Sequence, residues 1–262
     1  MRRYLRLLGI QLRASMALSL QYRVEFLGAG LLALFWTGWS LVPLLVVFGS
    51  RSRVAGWTFE EALVVMGWFT LVKSVLEGAV NPSLAAVVEH IRKGTLDFVL
   101  LKPADAQFLV STARFEPWRV VDVLGGVAIF AVAFHRMGRV PSAGSVALAV
   151  ALLGCATVIL YSLWILVVSA AFFVVKVDNL SFLFLSIYDA ARWPADVFRG
   201  ALRLVFTFVI PIAVLTTFPA EALLGRIGPA RAAVIAAGAL AFAALARAVW
   251  IRSIARYTSA SS

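Results

Sequence analysis

The sequence predicts an all-α membrane protein with six transmembrane helices, and its composition, its hydropathy and the spacing of its apolar runs lead to this prediction. Of the 262 residues, 62% are hydrophobic and 14% are charged, whereas soluble domains are about 45–50% apolar. The mean hydropathy is +0.95. One helical span needs about 20 apolar residues, so residues 1–262 are expected to form one membrane domain without a second, soluble domain.

The apolar runs give the positions of most spans. The clearest run is 26–48, which is apolar almost throughout and contains one proline, Pro43. Further spans are predicted at 59–79, 118–134, 145–174 and 230–250. Between residues 177 and 228 the apolar stretches are short and are interrupted by charged residues and prolines, so one crossing is predicted there rather than two.

The basic residues indicate the orientation in the membrane. The formal net charge is +11, and the Lys and Arg residues flank the apolar runs instead of forming one patch. Cytoplasmic loops carry an excess of Lys and Arg, and this excess is obtained when the N- and C-termini are both cytoplasmic. The charge therefore predicts an orientation and no nucleic-acid partner.

Two stretches have the pattern of amphipathic helices. Residues 1–22 place apolar side chains on one helical face and arginines on the other, which is typical of a helix lying on a membrane surface. The second stretch, 82–93, is predicted to be a cytoplasmic helix between spans two and three. Its apolar stripe consists of Leu84, Val87, Val88 and Ile91, and its opposite face of Glu89, His90, Arg92 and Lys93.

The second amphipathic helix also has end signals. Asn81 is expected to cap it, and Pro82 fits its first turn. Gly94 is expected to end it in the left-handed conformation. These signals predict a short, well-bounded helix of about three turns.

Two sequence motifs are more specific than the general pattern of a membrane protein. The chain continues from this helix as Arg92-Lys-Gly-Thr-Leu-Asp-Phe-Val-Leu-Leu-Lys-Pro103. Before the last span it reads Phe208-Val-Ile-Pro-Ile-Ala-Val-Leu-Thr-Thr-Phe-Pro-Ala-Glu-Ala-Leu-Leu-Gly225. With their placement relative to the spans, these motifs resemble the permease (transmembrane) subunit of a type 2 ABC exporter. The resemblance is to a poorly characterised bacterial branch that pairs two permeases with an ATPase.

The resemblance implies a partner ATPase. The helix at 82–93 would be a coupling helix that seats in a groove of a cytoplasmic ABC ATPase dimer, through either of its faces. ATP and magnesium would bind that partner, and no cofactor is expected in this chain. The implied ATPase-coupling residues are Leu84, Val87, Val88, Glu89, Ile91, Arg92, Lys93, Gly94, Thr95, Leu96 and Asp97. A second permease chain is also implied, with a heterodimer favoured and a homodimer open, in the bacterial cytoplasmic membrane.

For the region before the last span, the resemblance implies a fifth span at 178–195 and re-entrant half-helices at 198–224 on the outer side. Backbone that ends at membrane depth needs protein or water beside it. The fifth span would carry Asp189 and Arg192, whose spacing of three lets them pair on one helix face.

Polar residues in the other spans are the remaining candidates for a substrate path. Lys73 and Glu77 lie four residues apart near the inner end of span two. They could line a path, but a snorkelling pair is favoured. Asp122 in span three is a similar case. The possible path or buried polar residues are therefore Lys73, Glu77, Asp122, Asp189 and Arg192.

The sequence lacks the residues that several other functions require. There is no phosphate-loop motif for ATP. The two histidines, His90 and His135, fall on opposite sides of the membrane, so no catalytic or metal site is predicted. Three alternatives stay open: a membrane-embedded lipid-modifying enzyme, an ion-coupled transporter, which normally has internal repeats, and an assembly factor of a membrane complex.

Overall fold

The part of the chain that the structure describes is mainly helical. The structure is a computed structural model and describes residues 2–173, 185–206 and 210–257. Within these ranges the β pairing is limited to one bridge between Val54 and Trp57. The prediction of an all-α membrane protein is confirmed.

We number the α-helices in chain order. They are α1 (Arg2–Gln21), α2 (Arg23–Ser40), α3 (Val42–Gly49), α4 (Phe59–Val75), α5 (Asn81–Arg92), α6 (Asp97–Leu100), α7 (Ala106–Ser111), α8 (Val120–Met137), α9 (Ala143–Ala170), α10 (Ala201–Leu204), α11 (Phe218–Leu223) and α12 (Pro229–Ala255). Tight 3-10 turns occur at Pro117–Arg119, Asp189–Arg192 and Ala195–Val197, and wide π turns occur at Leu76–Val80 and Ala213–Thr217.

The described residues contain five helical segments that are long and apolar enough to cross a membrane. These segments are Arg23–Gly49, Phe59–Arg92, Pro117–Met137, Ala143–Ala170 and Pro229–Ala255. They lie where spans one to four and six are predicted. The predicted fifth span, 178–195, falls partly outside the described residues. Its described part, 185–195, has one helical turn at 185–188 followed by the 3-10 turn Asp189–Arg192 rather than a continuous α-helix.

α4 forms the centre of the bundle. In the most apolar stretch of the segment Phe59–Arg92, 72% of the residues are buried inside the chain, compared with 11% in that of Arg23–Gly49. α4 packs along α8 and also contacts α9. Its start is fixed by a capping box, in which the N–H of Glu61 donates to the Thr58 hydroxyl and the N–H of Thr58 donates to the Glu61 carboxylate. The first span, in contrast, lies at the edge of the fold.

α4 and α8 approach each other closely at two glycines. A Cβ atom at Gly126 would lie 3.0 Å from Cδ2 of Leu71 and 3.1 Å from the carbonyl oxygen of Gly67. A Cβ atom at Gly67 would lie 2.5 Å from the ring of Phe130. Small residues of this kind let helix backbones approach within a membrane, so this contact sets the position of the third span.

Replacing Gly126 with valine should loosen the contact between α4 and α8. The new side chain would meet the backbone of Gly67, which cannot rotate away, so we expect a loss of about 1–3 kcal/mol of stability. The measurement is the thermal unfolding midpoint of the purified protein in detergent. Gly28→Val is the matched control, because a Cβ atom at Gly28 meets nothing within 4 Å. An equal loss in both variants would contradict the packing explanation.

α9 and α12 also pack through small residues. Ala149 and Ala156 of α9 and Ala239 and Ala246 of α12 are all buried. The two residues of each pair are about two helical turns apart, so each helix presents a narrow strip of small side chains. This close packing fixes the last span to the fourth.

One end of the bundle carries a cluster around Trp57. The indole Nε1 of Trp57 donates to Oδ2 of Asp196 at 3.2 Å. Arg226 pairs with Glu61, and its guanidinium lies 5.4 Å from the centroid of the Trp57 ring. In the predicted orientation this is the outer end.

α1 lies at the opposite end, against the segment that connects α6 to α8. The Thr112 hydroxyl donates to the Gln11 side chain at 2.6 Å, and the N–H of Phe115 donates to Oγ of Ser15 at 3.1 Å. Leu5, on the predicted apolar face, is 62% exposed. Leu12 and Met16 of that face are exposed as well, whereas Tyr4 packs against Phe108. Most of the face is therefore open, as a helix on a membrane surface requires.

The apolar helix Ala213–Leu223 is shorter than a span. At 1.5 Å per residue it is about 16 Å long, which is roughly half of the hydrocarbon core of a bilayer. It packs against α4 and α9, and Leu215 is fully buried. Glu221 near its end pairs with Arg231 at the start of α12, at 3.3 Å. This helix does not cross the membrane by itself.

Candidate functional site

α5 continues α4 through the wide turn Leu76–Val80 instead of starting from a cap. Asn81 has helical dihedral angles, φ −60° and ψ −46°, and no side chain caps the start of α5, so the prediction of an Asn81 cap is wrong. Pro82 lacks the N–H that would bond to the Gly78 carbonyl. The N–H of Glu116 donates to that carbonyl instead, at 2.8 Å. A continuous helical arm therefore runs from the second span to the end of α5.

Gly94 ends α5 in the left-handed conformation, with φ +65°. Its N–H donates to the Ile91 carbonyl at 3.2 Å, and the N–H of Thr95 donates to the His90 carbonyl at 2.9 Å. These two bonds form a Schellman motif, which glycine allows without strain. The Thr95 hydroxyl also lies 2.8 Å from Nδ1 of His90. The turn fixes the direction in which the chain leaves the helix.

The apolar stripe of α5 is occupied by the chain's own core. Leu84, Val87 and Val88 are 0%, 1% and 7% exposed, and Ile91 is partly buried against the same core. α5 packs here against α7 and α9. The sequence left open which face of the helix meets a partner, and this packing leaves the opposite face available.

The opposite face, which we call the charged face (Glu89, His90, Arg92 and Lys93), is exposed. The Glu89 carboxylate lies 2.8 Å from Nζ of Lys93 and 4.0 Å from the Arg92 guanidinium. The hydrogen bond from Lys93 and the charge of Lys93 lower the pKa of the Glu89 carboxyl. Ion pairs at such exposed positions add little stability, so breaking them would cost the fold little.

The segment after Gly94 anchors one residue and exposes two others. Leu96 is fully buried, and Asp97 begins the short helix α6. Phe98 and Leu101 are 70% and 81% exposed, and the sequence analysis did not single them out. The run of four apolar residues from 98 to 101 is the signal that was available, because a helix this short cannot bury all sides. Exposed apolar residues beside charged ones are typical of binding surfaces.

A polar cluster around Arg247 joins the segment after α6 to the last span. Arg247 donates to Oδ2 of Asp105 at 2.5 Å, to Oδ1 of Asp105 at 3.2 Å and to Oε1 of Gln107 at 2.7 Å. The Gln107 amide donates to the Tyr161 hydroxyl at 2.9 Å. Partial burial raises the pKa of Asp105. Hydrogen bonds from Arg247 and from the Phe108 N–H, together with the charge of Arg247, lower this pKa by more than burial raises it, so the net shift is downward.

Asp105→Asn should make the protein less sensitive to acid. Because the pKa of Asp105 is lower in the folded state, its ion pair contributes stability at neutral pH that is lost as the pH falls below the usual range of aspartate. When the pH is lowered below the usual titration range of aspartate, we expect the thermal unfolding midpoint of the wild type to fall more steeply than that of Asp105→Asn. Glu60→Gln, which removes a carboxylate at the other end of the bundle, is the matched control. Parallel pH profiles for the wild type and Asp105→Asn would contradict the role given to the ion pair.

Glu77 and Asp122 meet at Arg119. The Arg119 guanidinium pairs with Glu77 and with Oδ2 of Asp122 at 3.1 Å, and Asp122 is 2% exposed. Lys73 has no ion-pair partner within the described residues, so the favoured Lys73–Glu77 pair does not form. Arg119 lies at the start of the third span, 42 positions along the chain from Glu77, so no local pattern indicated this contact, which only the fold brings about.

Asp189 and Arg192 pair as their spacing predicts, at 3.1 Å. They lie on a 3-10 turn rather than in a continuous span. The Asp189 side chain is 57% exposed, and the Arg192 guanidinium lies 5.6 Å from the centroid of the Phe69 ring. This pair and the cluster of Glu77, Arg119 and Asp122 are separate features of the fold.

The fold and these clusters define a polytopic membrane protein with a continuous helical arm that carries an exposed charged face. The described residues contain no group of three or more His, Cys, Asp or Glu side chains that could hold a metal ion. Residues 34–261 match the family described as ABC-2 family transporter protein. This match covers most of the chain, so the protein belongs to the ABC-2 transporter family and is a transmembrane ABC transporter subunit. No curated protein and no solved structure matches the chain.

Proposed function

We propose that this chain is the membrane subunit of an ATP-driven exporter and that the charged face of α5 docks a separate cytoplasmic ATPase dimer. ATP and magnesium would bind the ATPase, whose closure would push α5. The movement would pass through the continuous arm from α5 into α4, the central helix of the bundle, and open the substrate path to the other side. On this proposal the protein itself catalyses no reaction, and both of its termini are cytoplasmic in the bacterial inner membrane.

The exposure of the charged face carries the proposal. The apolar stripe of α5 is buried in its own chain, while the Arg92 and Lys93 side chains are 51% and 66% exposed. Gly94 and the buried Leu96 hold the following segment in place. A helix that presents charges to solvent next to the exposed Phe98 fits a docking surface with a charged part and an apolar part.

We also propose that a second permease chain completes the path. The first, third and last spans are only 11%, 22% and 22% buried inside this chain, which leaves apolar surface for lipid and for another membrane subunit. The short helix Ala213–Leu223, whose last residues Ala222 and Leu223 are buried, supports the proposed re-entrant arrangement for 198–224, of which 207–209 lie outside the described residues. Such a helix needs protein or a cavity beside it at membrane depth.

The alternative of a lipid-modifying enzyme is less well supported. Glu77 and Asp122 contact the same arginine, which occupies the carboxylates that an acid–base mechanism would use. The pair of Asp189 and Arg192 forms a separate cluster. An assembly factor would share the fold but would not bind an ATPase in an ATP-dependent way.

The experiment that tests the proposed function is affinity purification of the chain from its native membrane in mild detergent, followed by mass spectrometry. We expect recovery of an ATPase with a phosphate loop, and of a second multi-span protein if the dimer is mixed. Recovery of the chain alone in several detergents, with an ATP analogue present, would contradict the proposal.

A further inference from the structure

A groove runs along the end of the bundle where α1 and α5 lie. One part is a cavity of about 600 Å³ between the end of α1, the start of α2 and the segment 114–118. A second cavity of about 460 Å³ lies beside the start of α5. Arg114 and Glu116 line both cavities, so the two parts are neighbours across this short stretch of chain.

The backbone of this stretch is held on three sides. The Ser83 hydroxyl donates to the Arg114 carbonyl at 2.5 Å and accepts from the Arg114 N–H at 3.0 Å. The N–H of Phe115 donates to Ser15 at 3.1 Å, and the N–H of Glu116 donates to Gly78 at 2.8 Å. The groove wall is therefore preformed, which lowers the cost of ordering it around a ligand.

Most charged groups of the groove have partners in the chain. Glu116 accepts a hydrogen bond from Nε1 of Trp118 at 2.7 Å, and Arg119 pairs with Glu77. Within the described residues, the Arg114 guanidinium and the Glu25 carboxylate have no side-chain partner, although both line the larger cavity. The larger cavity therefore offers one cation and one anion to a ligand.

The larger cavity also lies where the membrane begins. The spans Arg23–Gly49 and Pro117–Met137 both start at its wall, and Tyr22 and Trp118 line it. Tyr and Trp are enriched at the level of lipid headgroups. Phe26 and Leu18 give it an apolar side, so charged groups and an acyl-chain surface occur together.

We propose that the larger cavity binds an inner-leaflet phospholipid with a zwitterionic headgroup, whose phosphate contacts Arg114 and whose primary ammonium contacts Glu25. A carboxylate disfavours an anionic headgroup next to the arginine, and a primary ammonium can donate a hydrogen bond to Glu25, which a trimethylammonium cannot. The acyl chain would follow Phe26 along the outside of α2. This inference rests on the membrane orientation and not on the binding of an ATPase.

The test is native mass spectrometry of the full-length protein, in its complex if one co-purifies. Phosphatidylethanolamine, phosphatidylcholine and phosphatidylglycerol are added at equal concentrations, and the amount of each lipid that stays bound is measured. We expect the wild type to retain phosphatidylethanolamine in preference to both other lipids. Arg114→Gln and Glu25→Gln should each weaken that binding about tenfold or more, as the loss of one charge-assisted hydrogen bond predicts. Glu25→Gln should reduce the preference over phosphatidylcholine most.

Arg139→Gln and Glu60→Gln are matched controls, because both residues lie at the other end of the bundle and should keep wild-type binding. Arg114 and Glu25 are exposed, so their variants should fold, which a thermal unfolding midpoint checks. Equal retention of the three lipids by the wild type would overturn the inference. It would also be overturned if the Arg114 and Glu25 variants retained the wild-type preference. Neither result would affect the proposed ATPase docking, which the purification experiment tests separately.

Discussion

Replacing Arg119 with methionine should destabilise the protein by about 3–5 kcal/mol, because removal of one partner leaves a buried charge uncompensated. The charge in question is Asp122, which is 2% exposed. Its other described contact is a hydrogen bond from the Thr37 hydroxyl at 3.4 Å, which is too long to replace an arginine. The carbonyl of Arg119 also accepts from Ser74 at 2.9 Å, but this backbone bond does not depend on the side chain.

The measurement is the thermal unfolding midpoint of Arg119→Met, with Arg139→Met as the control for loss of an exposed arginine. Adding Asp122→Asn to Arg119→Met should recover part of the lost stability, because the uncompensated charge is removed with its partner. If Arg119→Met unfolds at the wild-type temperature, the cluster does not stabilise the fold. A double variant that is less stable than Arg119→Met would contradict the charge explanation.

The helices with local signals were predictable from the sequence. The apolar runs indicated the positions of the first four spans and the last one. The spacing of Leu84, Val87 and Val88 predicted a helical stripe, which the fold buries. Gly94 was expected to be left-handed, and its φ is +65°. Each of these signals lies within a few turns of helix, which is the range over which periodicity and end signals act.

The features that the sequence analysis missed depend on contacts between distant residues. The continuity of α4 with α5 depends on Glu116, which supplies the hydrogen bond that Pro82 cannot make to Gly78. Arg247 meets Asp105 from the last span, and local periodicity carries no information about such a pair. Tertiary contacts of this kind override local preferences such as the expected Asn81 cap.

The face of α5 proposed for docking could be chosen only from the fold. From the sequence, the apolar stripe and the charged face of α5 were equally available to a partner. The packing of α5 against α7 and α9 removes the stripe and leaves Arg92 and Lys93 exposed. The proposed docking is therefore electrostatic in large part, and binding of an ATPase should weaken as the salt concentration rises.

Reversing the charges with Arg92→Glu and Lys93→Glu should uncouple the protein from the proposed ATPase. Each reversed side chain would replace an attraction by a repulsion. A cost of about 2 kcal/mol per side chain lowers affinity roughly thirtyfold, and the double variant should lose nearly all of the bound ATPase. The measurements are the amount of ATPase that co-purifies and the ATP hydrolysis of the complex. We expect both to fall while the amount of the chain in the membrane stays at the wild-type level.

Arg51→Glu with Arg53→Glu is the matched control, because it reverses the same two charges in the exposed segment before α4. Lys93→Glu also places a like charge four residues from Glu89, which costs only about 0.2–0.5 kcal/mol in a helix, so the fold should tolerate it. Wild-type recovery of the ATPase with the Arg92 and Lys93 variant would contradict docking through this face. Equal loss in the control would point to a general effect of net charge rather than to α5, whereas loss confined to the α5 variant would place the ATPase on the face that the chain leaves uncovered.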